Sequence, residues 1–356
     1  MCLDNGLART PPMGWSTVYA LGCRVDCQRY PNNCLNEDAI KRTADKLVSD
    51  GWRELGYKYV ILDDCWLATQ RDPITNRIMA DPSRFPNRST FIVRIYLNSE
   101  KIFRFQGMEY IAKYLHSKNL LLGVTLSNGA MTCARYPGSM NHLELDAKTV
   151  ADWGVDYVKM LACHYAENTA PDGFEKFHRL LNATGRPVMF LCTYPAYSYW
   201  LSNSNLIDWE RLQNNCNLWR VWSNVQSTWG SIIGIINRYK LFNDVFPKVA
   251  GPGHYNDPDV LVLGLWIRKL DNCPIGWAIA CINTKVDGGP IDFSTNLDEF
   301  KSQMYTISGD KFELLDVFTG DRFKDVRLTE NFTISINPSG IMMFRVNPYK
   351  LVYSYQ

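Results

Sequence analysis

The sequence predicts an α/β fold, in which a parallel (β/α)8-type barrel spans residues 1–264 and an antiparallel β-sandwich domain spans residues 265–356. Amphipathic helical segments alternate with short apolar strands as far as Gly264. Polar side chains collect at the carboxyl ends of those strands, which is where a (β/α) barrel builds its active site. Beyond Gly264, short strand-like runs separated by turn signals replace the helices, as in an antiparallel β domain.

The first long helix shows the repeating unit of the barrel. Ile40, Ala44 and Leu47 recur at helical spacing, between a predicted cap at Asn36 and a stop at Gly51. A short apolar strand follows, and the same unit recurs along the chain. Apolar strands that alternate with helices indicate a parallel sheet covered on both faces.

Seven strands are predicted in this part of the chain, one fewer than a closed (β/α)8 barrel contains. The predicted strands are 12–18, 57–66, 120–129, 155–161, 186–195, 217–222 and 259–263. A doubly wound sheet is the alternative, but the sequence contains no GxGxxG or phosphate loop to support it. We therefore expect a barrel that lacks its eighth strand region.

Polar residues gather at the carboxyl ends of these strands, and Lys159 lies in the middle of one. They are Asp63 and Asp64, Ser127 and Asn128, Lys159, Thr193, Arg220 and Asp259. Lys159 lies within the apolar run 155–161, with no acidic residue adjacent to it. A lysine in such a run needs a partner or a polar cavity.

The stretch 88–106 fits neither the barrel pattern nor the β-domain pattern, because it is both apolar and basic. Three interpretations are open: a lid over the pocket, a disordered loop, or translated non-coding sequence. Its foreign composition favours the last of these.

Composition excludes several classes of function. A net charge of +2 gives no reason to expect nucleic acid or an anionic membrane as a partner. No apolar run reaches the 18 or more residues that a membrane span requires. The five histidines are scattered and no CxxC pair occurs, so no metal site is expected.

The eleven cysteines are clustered in a way that resembles a disulfide framework. Three N-x-[ST] sequons, at Asn87, Asn182 and Asn331, also fit a secretory protein. The first ten residues show no signal peptide, which disagrees with both observations. A mature or N-terminally incomplete chain would reconcile them.

Long stretches of the chain resemble glycoside hydrolase family 27, the α-galactosidases and α-N-acetylgalactosaminidases. They include LDNGLARTPPMGW (3–15), ILDDCW (61–66), ADWGVDYVK (151–159), CNLWR (216–220) and AGPGHYNDPDVLVLG (250–264). The resemblance implies a (β/α)8 barrel followed by an antiparallel β domain. It also implies removal of terminal α-linked galactose or N-acetylgalactosamine with retention of configuration, without metal or organic cofactor.

The resemblance assigns sugar-binding roles residue by residue. Asp63 and Asp64 match an acidic pair that accepts hydrogen bonds from sugar hydroxyls, and Lys159 matches a lysine that binds the same sugar. Arg220 and Asp259 match residues near the sugar 2-substituent. Small residues at Thr193 and Ala196 resemble the N-acetylgalactosaminidase arrangement, which leaves room for an acetamido group.

The resemblance also implies four disulfides in the barrel. They are Cys23–Cys65, Cys27–Cys34, Cys133–Cys163 and Cys192–Cys216. Glycolipid and glycoprotein substrates, a lysosomal or secreted location and a homodimer are further implications of the resemblance.

Two departures affect the chemistry directly. Retaining hydrolysis needs a nucleophilic carboxylate and a second carboxyl group about 5–5.5 Å away. Leu161 occupies the nucleophile position and Asn224 the acid/base position. Leucine cannot form a glycosyl ester, and an amide is not a useful proton donor or acceptor near pH 7.

Other departures surround the pocket. Val18 replaces an aromatic residue at its border, and Thr125 replaces a tyrosine. After Gly264 the family continues into further βα segments, and the difference here is roughly two units of about 30 residues each. An open barrel would leave two strand edges unpaired.

Three functional hypotheses follow from these residues. The first is a working glycosidase that uses displaced carboxylates such as Asp64 and Asp259. The second is an inactive family member with residual sugar binding. The third is a degenerate or mis-spliced gene product, in which 88–106 and the gap after Gly264 are splicing faults. The sequence favours the second, closely followed by the third.

Overall fold

A computed structural model describes most of the chain. The described residues are 5–86, 89–93, 101–105, 107–225, 228–242, 244–257, 266–269, 277–282, 289–300, 311–317, 319–337 and 341–348. They form two compact units, one of residues 1–224 and 241–259 and one of residues 225–240 and 260–356. The predicted domain boundary at Gly264 stays a prediction.

The strands of the described chain up to residue 257 are given in chain order. They are β1 (Met13–Ser16), β2 (Tyr57–Leu62), β3 (Ser89–Val93), β4 (Lys101–Phe105), β5 (Leu121–Ser127), β6 (Tyr157–Leu161), β7 (Met189–Cys192), β8 (Leu218–Trp219) and β9 (Tyr255–Asn256). The helices between and after them are α1 (Thr17–Ala20), α2 (Glu37–Ser49), α3 (Gly107–His116), α4 (Leu143–Asp152), α5 (Ala170–Ala183), α6 (Ser198–Ser202), α7 (Trp209–Asn215), α8 (Trp229–Lys240) and α9 (Phe246–Val249).

Seven of these strands form one parallel sheet in the order β1-β2-β5-β6-β7-β8-β9. Within the described ranges, no strand pairs β9 with β1, so the sheet is an open, barrel-like half-cylinder. The prediction of seven parallel strands in a (β/α) architecture is confirmed. The seventh strand is Tyr255–Asn256, and the predicted strand at 259–263 lies outside the described residues.

The cap, the buried face and the glycine stop that the sequence predicted for helix α2 are present in the structure. The side chain of Asn36 accepts a hydrogen bond from Ala39 N at 2.9 Å, which satisfies one free amide of the first turn. The apolar residues Ile40, Ala44 and Leu47 are buried. Gly51 follows with a φ of +80°, a left-handed conformation that glycine adopts without strain.

The amino-terminal segment 5–9 lies against β8, β9 and the loop between them. Asn5 and Asn217 exchange side-chain amide hydrogen bonds of 3.2 and 3.0 Å. Gly253 N donates to Ala8 O, and the Tyr255 hydroxyl donates to Arg9 O. The segment that leads into β1 is therefore tied to the other edge of the open sheet.

The stretch 88–106 is described in part. Residues 89–93 and 101–105 form an antiparallel pair, β3 and β4. The three interpretations of this stretch stay untested.

The second unit contains antiparallel sheets, as predicted. Its strands are β10 (Trp266–Lys269), β11 (Trp277–Ile282), β12 (Ile291–Thr295), β13 (Lys311–Asp316), β14 (Arg322–Arg327), β15 (Phe332–Ile336) and β16 (Ile341–Pro348). One sheet has the order β10-β11-β16-β13-β14, and β12 pairs with β15. Buried residues such as Phe312, Leu314 and Phe344 form its core.

Candidate functional site

The interior of the parallel sheet changes character along its strands. Near the amino ends, Tyr157, Met189, Leu191 and Leu218 form a buried cluster with Ala8. Successive residues of a strand face opposite sides, so residues two positions apart share a face. In several strands, the interior-facing position nearer the carboxyl end therefore holds a polar residue.

Lys159 and Asp63 are brought together at this carboxyl end. Lys159 Nζ donates to Asp63 Oδ2 at 2.7 Å, and the two side chains are only 6% and 7% exposed. Asp63 Oδ1 accepts from Asp64 N at 2.8 Å. The cation inside strand β6 thus has an acidic partner, which comes from β2 and not from its own strand.

Asp64 has a different set of partners. Its Oδ1 accepts from Cys65 N at 2.7 Å, and its Oδ2 accepts from Ala134 N at 2.8 Å. Asp64 therefore holds the loop after β5 against the loop after β2. Asp63 and Asp64 serve different surroundings, as strand alternation predicts for neighbouring residues.

Leu161 is the last residue of strand β6, and because it lies two positions beyond Lys159 it faces the same side of the sheet. It pairs in register with Ser127 of β5, and its side chain is 5% exposed. An apolar side chain occupies this buried position, two residues beyond the ion-paired lysine. Asn224, the second substituted position, is exposed in an irregular segment after β8.

Arg220 and Thr193 also lie at the ends of neighbouring strands. Arg220 is buried, and its backbone N donates to Cys192 O at 3.1 Å. The Thr193 hydroxyl donates to Met160 O at 2.6 Å, which fixes its orientation. Ala196 is half-buried in the short turn after β7. Asp259 lies outside the described residues.

Tyr197 lies beside the site and directly follows Ala196 in the chain. Its hydroxyl lies 3.3 Å from Cys163 Sγ and 3.6 Å from Cys133 Sγ. Burial raises the pKa of Tyr197, and the charge of Asp63 adds to the rise, while the Ala162 amide, Arg220 and Thr193 oppose it. The phenol is therefore neutral at physiological pH. The position one residue after Ala196 is the only signal in the sequence that could have indicated it.

Other aromatic and histidine residues near the strand ends have packing roles. Tyr194 packs edge-on against Phe174 and Trp200. His254 stacks on Trp219, and burial lowers the pKa of its imidazole. The His164 side chain is exposed.

Four disulfides fix the loops around these strand ends. They are Cys23–Cys65, Cys27–Cys34, Cys133–Cys163 and Cys192–Cys216, the pairs that the resemblance implies. Cys281 is a buried free thiol. The described part of the chain contains no group of three or more His, Cys, Asp or Glu side chains placed to hold a metal ion. Within the same residues, no helix is long and apolar enough to cross a membrane.

Comparisons with known proteins agree with this architecture. A family model described as alpha galactosidase A matches residues 10–102 and 96–311. The alpha-N-acetylgalactosaminidase of Gallus gallus is 31% identical over 421 aligned positions, which cover 99% of this chain and 97% of that protein. The human alpha-galactosidase A is 36% identical over 315 positions, covering 87% of this chain and 66% of that protein.

Solved structures with low identity share the fold. An α-galactosidase from Saccharomyces cerevisiae matches with a TM-score of 0.73 and 19% identity, covering 97% of this chain and 99% of that one. The alignment with the Gallus gallus protein has 65 more positions than this chain has residues (421 minus 356). That relative therefore contains segments that this chain lacks.

Proposed function

The chain belongs to glycoside hydrolase family 27, and from this premise we propose that it binds terminal α-linked galactose or N-acetylgalactosamine without hydrolysing the linkage. One observation carries the proposal. The buried end of β6 keeps the Lys159–Asp63 pair but presents the isobutyl side chain of Leu161 two residues further on. In this proposal the charged pair still binds the sugar, and an alkyl side chain stands where a nucleophilic carboxylate is needed.

The chemistry explains why the two losses act together. A retaining glycosidase forms a covalent ester through one carboxylate while a second carboxyl group protonates the leaving oxygen. Leu161 has no lone pair to attack the anomeric carbon, and the Asn224 amide has no titratable proton near neutral pH. The chain therefore has a carboxyl group at neither the nucleophile position nor the acid/base position.

The contacts of Asp64 argue against the hypothesis of displaced carboxylates. Each of its oxygens already accepts a backbone N–H, from Cys65 and from Ala134. These hydrogen bonds fix the orientation of the carboxylate and occupy lone pairs that an attack on a sugar would need. A carboxylate that also anchors a loop is poorly placed to attack a sugar.

The hypothesis of a mis-assembled product keeps one supporting observation. The family model matches in two pieces that meet at residues 96–102, inside the atypical stretch 88–106. Transcript sequencing across the codons for residues 85–110 and 260–270 tests it. Confirmed junctions would remove this hypothesis.

Calorimetric titration with free galactose and free N-acetylgalactosamine tests the proposed binding. We expect binding of both sugars together with no release of a chromophore from an α-N-acetylgalactosaminide. Folded protein that binds neither sugar would refute the proposal. Ala196→Leu is a matched control for pocket size, since it should weaken N-acetylgalactosamine binding and spare galactose.

A rescue experiment tests the proposed cause of inactivity. The double substitution Leu161→Asp with Asn224→Asp restores both carboxyl groups, and we expect hydrolysis to rise at least about a thousandfold above the unmodified chain. Each single substitution should give far less. Hydrolysis by the unmodified chain, abolished by Asp64→Ala, would instead support the displaced carboxylates.

Location and assembly are finer proposals. Four disulfides favour an oxidising compartment, so we expect the chain to be secreted or lysosomal. A homodimer rests on family resemblance, and size-exclusion chromatography with light scattering tests it directly.

A further inference from the structure

Three exposed arginines lie on two loops at the carboxyl end of the sheet, near Asp64. Arg24 and Arg29 belong to the loop between α1 and α2, and Arg135 belongs to the loop after β5. We call these three the rim arginines. Within the described chain, no ion pair joins a carboxylate to any of them, whereas the exposed Arg179 of α5 has a glutamate partner at 2.8 Å.

A disulfide and a hydrogen bond fix the place of Arg24. The residue follows Cys23, whose disulfide partner Cys65 follows Asp64. The Cα atoms of the two cysteines are 5.5 Å apart, so those of Arg24 and Asp64 lie within about 13 Å of each other. Arg24 Nη1 donates to Ala20 O at 3.5 Å, in the helical turn directly after β1. The guanidinium is therefore held at the end of the sheet that carries the proposed pocket.

Arg24 and Arg29 share one aromatic neighbour. Their Cζ atoms lie 5.9 and 5.4 Å from the centroid of the Tyr30 ring. Asp26 of the same loop accepts two backbone N–H groups through Oδ1, and in the described chain it forms no ion pair with either guanidinium. Cation–π contact offsets part of the repulsion between two like charges on one ring. A bound anion would neutralise them.

Arg135 is also close to Asp64, and its backbone is in an unfavourable conformation. The preceding Ala134 donates its N–H to Asp64 Oδ2 at 2.8 Å, which places Arg135 Cα within about 8 Å of that carboxylate. The φ of Arg135 is +68°, a left-handed value that glycine adopts without strain. Its turn is tied down by the disulfide Cys133–Cys163. An arginine at a position that favours glycine costs stability, and this indicates a role for its side chain.

We propose that the rim arginines bind an acidic group on the saccharide next to the terminal sugar, so that the ligand is an anionic α-galactoside or α-N-acetylgalactosaminide. The inference rests on the proposed function, because it names the class of glycan that the same site takes. The terminal sugar occupies the buried strand ends, and the saccharide attached to it extends toward the exposed loops. Carboxylates and sulfate esters both accept the charge-assisted, paired hydrogen bonds that a guanidinium donates.

Calorimetric titrations with three matched disaccharides test the inference. They are α-galactosyl-(1→4)-galactose, its counterpart with galacturonic acid as the second sugar, and its counterpart with a sulfate ester at the same carbon of the second sugar. We expect both acidic ligands to bind about tenfold more tightly than the neutral one at low salt, and this preference to shrink to about threefold or less near 0.5 M NaCl. The two acidic ligands show whether carboxylate or sulfate is preferred.

The same titrations separate this inference from the proposed function. Equal affinity for all three disaccharides would overturn the inference and leave the proposed sugar binding intact. A folded chain that binds none of the three would end the proposed function and the inference with it.

Substitutions assign the preference to particular residues. Arg24→Gln and Arg135→Gly should each reduce the tenfold preference to about threefold, and together they should abolish it. Arg179→Gln is the matched control, because that exposed arginine already has a carboxylate partner, and the preference should stay near tenfold. A preference that survives in the double variant would overturn the assignment to the rim arginines.

Thermal unfolding without ligand gives a readout that a structural role would move differently. Arg135→Gly relieves the left-handed conformation, so we expect its Tm to equal or exceed that of the unmodified chain. Loss of the acidic preference at an undiminished Tm supports a ligand contact. A Tm well below that of the unmodified chain would show that Arg135 is retained for stability and would overturn its place in the inference.

Discussion

The two ends of the parallel sheet are built from the same strands but differ in the side chains they place in the interior. At the amino end the interior is a packed apolar cluster that includes Tyr157, Met189 and Leu191. At the carboxyl end, two residues further on, β6 continues with Lys159 and then Leu161. The amino end carries none of the predicted sugar-binding residues, and the carboxyl end carries the residues that distinguish this chain from its family.

Charged residues at the two ends are held in contrasting ways. Asp156, at the amino end, accepts from Leu122 N, Arg186 Nη2 and His116 Nε2 at 2.6–2.9 Å. Asp63, at the carboxyl end, has the buried Lys159 as its ionic partner. The first arrangement joins β5, the end of α3 and the segment before β7 at one carboxylate. The second isolates two charges where replacement by packed apolar residues would cost little stability. We therefore expect the residues at the amino end to contribute mainly to stability and those at the carboxyl end mainly to the proposed ligand binding.

The largest expected effect comes from breaking the pair at the carboxyl end. Asp63→Ala leaves Lys159 buried without its carboxylate, and we expect a loss of about 3–5 kcal/mol in the free energy of unfolding. Urea denaturation measures it. Asp63→Leu combined with Lys159→Met should recover most of that stability and still abolish galactose binding. A double variant as unstable as the single one would mean that the pair is retained for stability.

At the amino end, Asp156→Ala should behave in the opposite way. It removes the acceptor of three hydrogen bonds, and we expect a loss of about 3 kcal/mol, with sugar affinity unchanged for the folded fraction. Urea denaturation and calorimetric titration of the same sample measure the two quantities. A large change in galactose affinity at full folding would show that the two ends are coupled, against the comparison.

Sequence reasoning succeeded where the signal is local or repeats along the chain. Asn36 is a cap that acts within three residues, and apolar runs between helices located the parallel strands. The sequence analysis did not predict the strand at Tyr255–Asn256, because β9 is only two residues long and its register with β8 is set by backbone pairing and not by an apolar run.

The site was only partly predictable for a related reason. Alternation along β2 and β6 directs Asp63 and Lys159 to the interior, but their 2.7 Å contact joins residues 96 positions apart and depends on the curvature of the sheet. Thr125 Oγ1 is buried without a hydrogen-bond partner among the described residues, which likewise depends on contacts between strands that the sequence does not show. Asp259 and its role stay predictions.

The smallest expected effect compares two tyrosines under alkaline conditions. Burial, assisted by the charge of Asp156, raises the pKa of Tyr59 to about 12. The unfolded phenol ionises near pH 10, so stability that is present below pH 10 is lost as the pH rises from 10 through 12, by up to about 2–3 kcal/mol. Tyr59→Phe should remove most of this loss in denaturation curves recorded across that range. Asp156→Ala should bring the Tyr59 transition to lower pH, measured by absorbance at 295 nm.

Tyr197→Phe is the control at the carboxyl end, where Arg220 and the Ala162 amide oppose the rise of the Tyr197 pKa. It should flatten the pH dependence less than Tyr59→Phe, and a larger effect would place the stronger electrostatic constraint at the carboxyl end.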